Sequence, residues 1–368
     1  MTARTPPRCP MTSPPRESAR SQPGPGRIFG RGRRRWAGLA LGCAAILLPA
    51  RGVGFAGARV IAGNGYTGCI ELRNDSTRVV LEPNLGGRVL HYQLGGVEVL
   101  HQDEAYDGAT QASLDRPVPP PGGRFDIGPE FLQPRHPVLW TGRWRAEITG
   151  DRSARMTSEI DPATGLQLMR DFRLDASSSH LTCTQTIFNR GESRRAVCHW
   201  GRTFAEGGGI CVAPLNPASR YPAGYVTYDP KGSIIFKPAP ESNVVVRDGL
   251  LAIIGPAARR KFAIDVSEGW LAYLTRRDVL FVKRFPVYPD RRYGEIAGNA
   301  ASVWYDGDQK CEIEPIGPLE QLAPGQRAEF TEDWWLHDFA FPGDRRIDVA
   351  AVRRVVAASV PAGGEDGK

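Results

Sequence analysis

The stretch Asn74–Leu100, NDSTRVVLEPNLGGRVLHYQLGGVEVL, decides how this chain folds. Inside it and just before it, residues 69–73 (CIELR), 78–82 (RVVLE), 88–94 (RVLHYQL) and 97–101 (VEVLH) alternate apolar with polar side chains. Between them stand Asn74-Asp75, Asn84-Leu85-Gly86-Gly87 and Gly95-Gly96. A period of two puts successive side chains on opposite faces, and Gly and Asn supply the turns, so the segment reads as an antiparallel β meander. The same rhythm continues outward through 143–149, 153–160, 166–174, 180–188, 194–202 and a series of short runs up to 327–336. A polar loop over 103–123, ending in Pro117, Pro119, Pro120, Pro121, Gly122 and Gly123, interrupts it, and a second loop-rich zone covers 206–224. Long loops in compact domains are often functional. Only 345–360 carries a helical period, with Val349, Val352, Val356 and Val360 on one face. The expected fold is all-β: a large antiparallel β-sandwich with one C-terminal helix. The expected segments are 1–58, a basic leader; 59–342, the sandwich; and 343–368, the helix and a polar tail.

The formal net charge of +7 comes from one end of the chain. Residues 1–35 hold nine arginines and a single acid, Glu17, which leaves 38 basic against 39 acidic residues in the rest. A body so balanced has no electrostatic footprint for a nucleic-acid backbone, so none is expected as a partner. Arg31, Arg33, Arg34 and Arg35 precede the apolar run Trp36–Ala50 (WAGLALGCAAILLPA), and Ala56-Gly57-Ala58 follows. That is the layout of a secretory signal, and Arg34-Arg35 also suits a twin-arginine route. The run is short for a spanning helix. The expectation is a secreted or periplasmic protein that meets the membrane only through this segment, or stays anchored by it if it is not cleaved.

Five cysteines lie beyond the leader: Cys69, Cys183, Cys198, Cys211 and Cys311. They are odd in number, without a CxxC pair, and read as buried thiols, although export would permit one or two disulfides, with Cys183–Cys198 a plausible hairpin pair. The histidines are scattered and zinc-ligand spacing is absent, so neither a metal nor a cofactor is expected. Asp103, Glu104 and Asp107 are the loop carboxylates nearest to a calcium pattern. There is no GxSxG elbow, no HExxH, no P-loop and no strand-linked GxGxxG.

Asn74–Leu100, with its strand, paired glycines and following strand, resembles the opening hairpins of the galactose mutarotase-like, or aldose 1-epimerase, superfamily. Leu319–Trp335 (LEQLAPGQRAEFTEDWW) resembles its closing segment, an L-x-PG turn before a strand. Together with Gly122–Glu130, His199-Trp200 and Lys283–Asp290, the closest likeness is to a bacterial branch of that superfamily, over roughly residues 65–337. The resemblance implies a sandwich that binds a small-molecule or polymeric carbohydrate. It also implies interconversion of sugar anomers: a carboxylate takes the anomeric hydroxyl proton while a histidine protonates the ring oxygen, a type of catalysis worth about a hundred- to ten-thousand-fold.

By the same resemblance the base lies on Cys311–Pro315. Glu312 and Glu314 share a strand face there, and Glu314, next to the turn, is the expected base. His199, beside Trp200, is the expected acid. Arg88, Arg124, Glu130, Trp200, Lys283 and Asp290 are the expected sugar-binding residues. His91, His101, His136 and His180 are weaker candidates by position, and Trp334-Trp335 reads as core. The first of the two histidines of the epimerase pattern has no clear counterpart. Three readings therefore stand side by side: an exported epimerase-like isomerase, a non-catalytic carbohydrate-binding module, and an envelope interaction domain. Glycoside hydrolysis is a variant of the first, with Glu314 and Glu130 as the carboxyl pair.

Overall fold

The computed structural model describes residues 55–114 and 120–361. The leader through residue 54, with Cys9 and Cys43, lies outside them, as do Pro117, Pro119 and the tail from residue 362. Two antiparallel sheets, of thirteen and ten strands, pack face to face. The first begins with the meander of the quoted segment: Ala58–Gly63, Tyr66–Arg73, Thr77–Glu82 and Arg88–Leu94. Gly123–Gly128, Arg195–Glu206, Lys310–Pro315, Ala301–Asp306, Lys261–Ile264 and Tyr225–Tyr228 then follow side by side. The second sheet holds Ile210–Pro214, Trp270–Leu274, Val279–Arg284, Arg327–Asp338, Leu181–Asn189 and Leu166–Leu174 in its middle.

The Gly86-Gly87 turn shows why the meander closes where it does. Both glycines have positive φ, 73° and 55°, and a Cβ on Gly87 would lie 2.4 Å from the Trp144 ring. Neither position accepts another residue without strain. The run expected as a strand over 97–101 is shorter, Val97–Glu98, because the Glu98 carboxylate accepts the backbone N–H groups of Val99 and Leu100 and turns the chain. The loop after it forms two 3₁₀ turns, Glu104–Tyr106 and Gln111–Ser113.

The alternation of Leu166–Leu174 is visible in its burial: Leu166, Leu168, Arg170, Phe172 and Leu174 face the other sheet, and the residues between them face outward. Trp270–Leu274 is buried on both faces because the helix Val349–Ala358 covers its outer side. Asp348 caps that helix by accepting the Ala351 N–H at 2.9 Å. Val352 and Val356 pack beside Trp335 and Ile210, and each contributes about 1.5–3 kcal/mol of apolar burial. The helix ends at Ala358, so Val360 lies beyond it and is exposed rather than on the packed face.

Between the sheets lies an apolar core with one buried ionic cluster. Tyr92, Phe281 and Trp334 meet edge to face. Lys283 Nζ pairs with Glu332 Oε2 at 2.8 Å and donates to Thr203 Oγ1 at 3.0 Å, while Gln185 and Trp334 donate to the remaining Glu332 lone pairs. Gly201 makes room for this carboxylate, since a Cβ there would sit 2.1 Å from Glu332 Oε1. The five cysteines beyond the leader are all buried and free. Cys183 and Cys198 stand on strands of different sheets, so the hairpin pairing is not formed.

Candidate active site

The strand Arg195–Glu206 is buried almost throughout its length, which an ordinary sheet surface would not produce. His199 and Thr203 face the second sheet, whereas Trp200 and Arg202 face away from it. On that outer face, neighbouring strands bring together Arg124 and Asp126, Glu312 and Glu314, and Lys261. The short helical turn Pro137–Trp140 and the loop Pro129–Leu132 stand above them.

Arg202 organises the floor. Its Nε lies 3.0 Å from Asp126 Oδ2, its Nη2 3.0 Å from Glu130 Oε1, and its Nη1 2.9 Å from Glu314 Oε1. Burial works against its charge, but Glu312, Glu130, Glu314 and Asp126 outweigh it and hold the guanidinium firmly protonated. Asp126 also accepts from His136 Nε2 at 2.9 Å, and His136 Nδ1 sits 2.7 Å from the Pro134 carbonyl. Burial penalises the imidazolium, yet the bond to Asp126 prevails and raises the His136 pKa. The same bond, with Arg202, pulls the Asp126 carboxyl down against its own burial.

The two glutamates of Lys310–Pro315 differ sharply. Glu314 is fully enclosed. One oxygen accepts Trp200 Nε1 at 3.0 Å and Arg202 Nη1, and the other pairs with Lys261 Nζ. Burial raises its pKa, but Lys261 and Arg202 more than reverse this. Glu312 lines a cavity, and its Oε1 accepts no hydrogen bond; Arg202 Nη1 stands 3.6 Å away, beyond hydrogen-bond reach. Burial, then the adjacent Glu314 carboxylate, pushes the Glu312 carboxyl up to about 7.

That cavity, about 760 Å³, has aromatic walls of Trp140, Trp200, Trp304, Tyr228 and Tyr293, with Glu130, Arg202, Lys261, Glu295 and Glu312 as its polar groups. Tyr228 donates its hydroxyl to Glu295, whose pKa is raised chiefly by burial. Phe131, Leu132 and Ile296 form an exposed apolar rim. Such a volume and such a mixture of aromatic faces with a few convergent polar groups are usual for small-molecule sites.

Of the residues expected from sequence, the structure brings Glu130 and Trp200 to the cavity and Glu314 directly beneath it. Arg124 lies alongside, its guanidinium 3.9 Å over the Trp140 ring, with burial lowering its pKa to about 10. Four others lie elsewhere. His199 points between the sheets, stacked between Phe125 and Phe330 at 5.5 and 5.6 Å, where burial holds it neutral with a pKa of about 4. Lys283 is in the ionic cluster of the core. Arg88 is buried at the first hairpins, 3.1 Å from Glu82 and donating to Pro121 O and Tyr66 Oη. Asp290 is an exposed turn residue absent from the cavity lining. Arg202, Lys261, Trp140, Asp126 and Glu295 were not singled out by sequence. Arg202 alone carried a signal, since it stands two residues after Trp200 on a strand.

No family model and no curated protein matches this sequence. Solved structures do resemble the fold. A galactose mutarotase-like protein from Clostridium acetobutylicum superposes with a TM-score of 0.53 at 12% identity, covering 77% of this chain and 98% of its own. A galactose mutarotase-like protein from Lactobacillus casei gives 0.52 at 10% identity, covering 73% and 100%. A protein from Escherichia coli K12, provisionally named an aldose 1-epimerase, gives 0.52 at 12% identity, covering 77% and 100%. With its two large antiparallel sheets packed face to face, this chain has the galactose mutarotase-like fold.

Proposed function

We propose that the larger cavity binds a sugar and that Glu312 exchanges protons at the anomeric centre. One observation carries this reading: Glu312 is a buried carboxyl on an aromatic-walled cavity, with an oxygen that accepts no hydrogen bond and a pKa raised to about 7. A general acid–base works best when its pKa lies near the working pH. In its protonated form Glu312 donates to the ring oxygen as the bond from that oxygen to the anomeric carbon breaks. Glu130, on the same guanidinium, takes the anomeric hydroxyl proton, and the open-chain aldehyde recloses on its other face with the protons returned. Lys261 and Arg202 hold the negative charge that moves between the two carboxyls. Glu314, fully buried and engaged by Trp200, Arg202 and Lys261, positions the two cations and does not line the cavity, so we place the proton exchange on Glu312 rather than Glu314. The galactose mutarotase-like fold supports this reading as an analogy of architecture.

A second reading, a carbohydrate-binding module without turnover, is favoured by the lining of the larger cavity, which holds no histidine among the described residues. Exchange NMR on the full chain with reducing hexoses and uronic acids separates the two. Anomer exchange faster than the uncatalysed rate, lost in Glu312→Gln with binding kept, is the expected result; binding without exchange leaves the module. Export through the arginine-flanked apolar run Trp36–Ala50 belongs to the same proposal and is tested by N-terminal sequencing of the protein recovered from the cell exterior or periplasm.

A further inference from the structure

Against the same wall lies a second cavity of about 440 Å³, bordered by Gln111, Asp126, Arg135, His136 and Thr141, and it shares Glu130, Trp140 and Arg202 with the larger one. The two therefore adjoin across a seam made by one indole, one carboxylate and one guanidinium. The larger cavity alone is already within the range of about 300–1,000 Å³ that small-molecule sites occupy. A single sugar ring in contact with Glu312 would leave the second cavity empty.

The chemistry of the second cavity narrows what fits it. Its buried charges are matched: His136 is bound to Asp126, and Arg202 is held by Asp126, Glu130 and Glu314. A phosphate or other dianion would find only Arg135 unengaged, which argues against a strongly anionic occupant. Among the described residues the Arg135 and Gln111 side chains form no ion pair or hydrogen bond, and both border the space. Trp140 has Arg124 over its ring at 3.9 Å, and the indole lines both cavities. An aromatic plate beside unengaged donors and acceptors, at low net charge, suits a neutral polyhydroxylated ring with an apolar face.

We propose that the second cavity is a subsite for a neighbouring sugar unit, so that the ligand is a glycan of at least two units whose reducing end meets Glu312. Trp140, which lines both cavities, stands at the junction between the units, and Arg135 and Gln111 hold the hydroxyls of the second. The assignment rests on the sugar-binding reading of the larger cavity.

The test is isothermal titration of the full chain with glucose, galactose and mannose and with their 1,4-linked reducing disaccharides, in wild type, Arg135→Ala and Gln111→Ala. Both substitutions lie at exposed positions and touch only the second cavity. The subsite predicts a disaccharide bound at least tenfold more tightly than its monosaccharide. It also predicts that Arg135→Ala removes about tenfold of that gain, the scale of one charge-assisted hydrogen bond, without changing monosaccharide affinity. Equal affinity for monosaccharide and disaccharide in wild type, or a disaccharide gain unchanged in both variants, overturns the subsite and leaves the larger cavity's role standing. Failure of wild type to bind either class overturns both.

Discussion

Replacing Glu312 by Gln should make the protein more stable and less active, and the stabilisation should appear only as the pH rises. The Glu312 carboxyl is moved from 4.5 to about 7, first by burial and then by Glu314. Below pH 4.5 it is protonated in both the folded and unfolded chain and contributes no pH-dependent difference. Between 4.5 and 7 the folded state keeps a proton that the unfolded state has released, so stability falls as pH rises. Above 7 the loss is complete. At about 1.4 kcal/mol for each pH unit it amounts to about 3 kcal/mol. Glutamine keeps the shape and cannot ionise, and the ion pair it gives up is the long one to Arg202 at 3.6 Å, which leaves Arg202 its three nearer carboxylates.

Urea denaturation of wild type and Glu312→Gln at pH 4.5 and pH 8 reads this directly. The variant should match wild type at pH 4.5 and exceed it by up to about 3 kcal/mol at pH 8, while any anomer exchange falls by about a hundredfold or more. A difference in stability that is the same at both pH values would show that the carboxyl is not held protonated. Full exchange activity in the variant would remove Glu312 from the chemistry. Opposite signs for stability and activity mark a residue kept for function at the expense of the fold.

Other substitutions separate the remaining roles. His199→Phe should leave sugar binding unchanged and flatten the acid limb of stability: a histidine held near pKa 4 contributes stability above pH 6.5 that is lost as pH falls toward 4, about 3 kcal/mol in all, readable from melting temperatures across that range. Lys283→Met should cost about 3–5 kcal/mol in chemical denaturation by leaving Glu332 charged between the sheets, and adding Glu332→Gln should recover much of it. Arg202→Gln should abolish sugar binding in titration and also destabilise by several kcal/mol, because Asp126, Glu130 and Glu314 lose a shared cation.

The sandwich was legible in the sequence because its information is local. Gly86-Gly87 with positive φ, the alternation of 166–174 and the valines of the last helix are each readable within a dozen residues. The candidate site is assembled from six strands, a helical turn and two loops, so only part of it could be read. Trp200 suggested a sugar wall, and the adjacent His199 was taken with it, yet consecutive residues of a strand face opposite ways. One neighbour reaches the cavity and the other the core. Strand period applied from Trp200 in the opposite sense leads to Arg202, two residues on. Glu312 and Glu314 share a face, and no spacing tells them apart. What separates them is Lys261, which arrives beside Glu314 from a strand some fifty residues earlier, paired through Ala301–Asp306. Lys283 is expected in the cleft only through the family likeness, whereas its partner Glu332 lies on the neighbouring strand of its own sheet, facing the core.

The strand Arg195–Glu206 joins two buried ionic systems that differ in what they can do. On its inner face Thr203 and the bare Cα of Gly201 accommodate Lys283 and Glu332, whose lone pairs and protons are met by Gln185, Trp334 and Thr203. Such a cluster lines neither cavity and ties the two sheets together, with Gln185 Oε1 left without a partner among the described residues. On the outer face Arg202 gathers Asp126, Glu130 and Glu314, while Glu312 Oε1 and Arg124 Nε and Nη2 have no hydrogen-bond partner among the described residues. An unmatched buried carboxyl is costly in a folded protein and rare for that reason. Here it sits on an aromatic-walled cavity, where a bound hydroxyl would supply the missing donor. On this one strand the core cluster lines neither cavity, whereas the cluster around Arg202 leaves Glu312 Oε1 unbonded beside one, and it is there that we place the proton exchange.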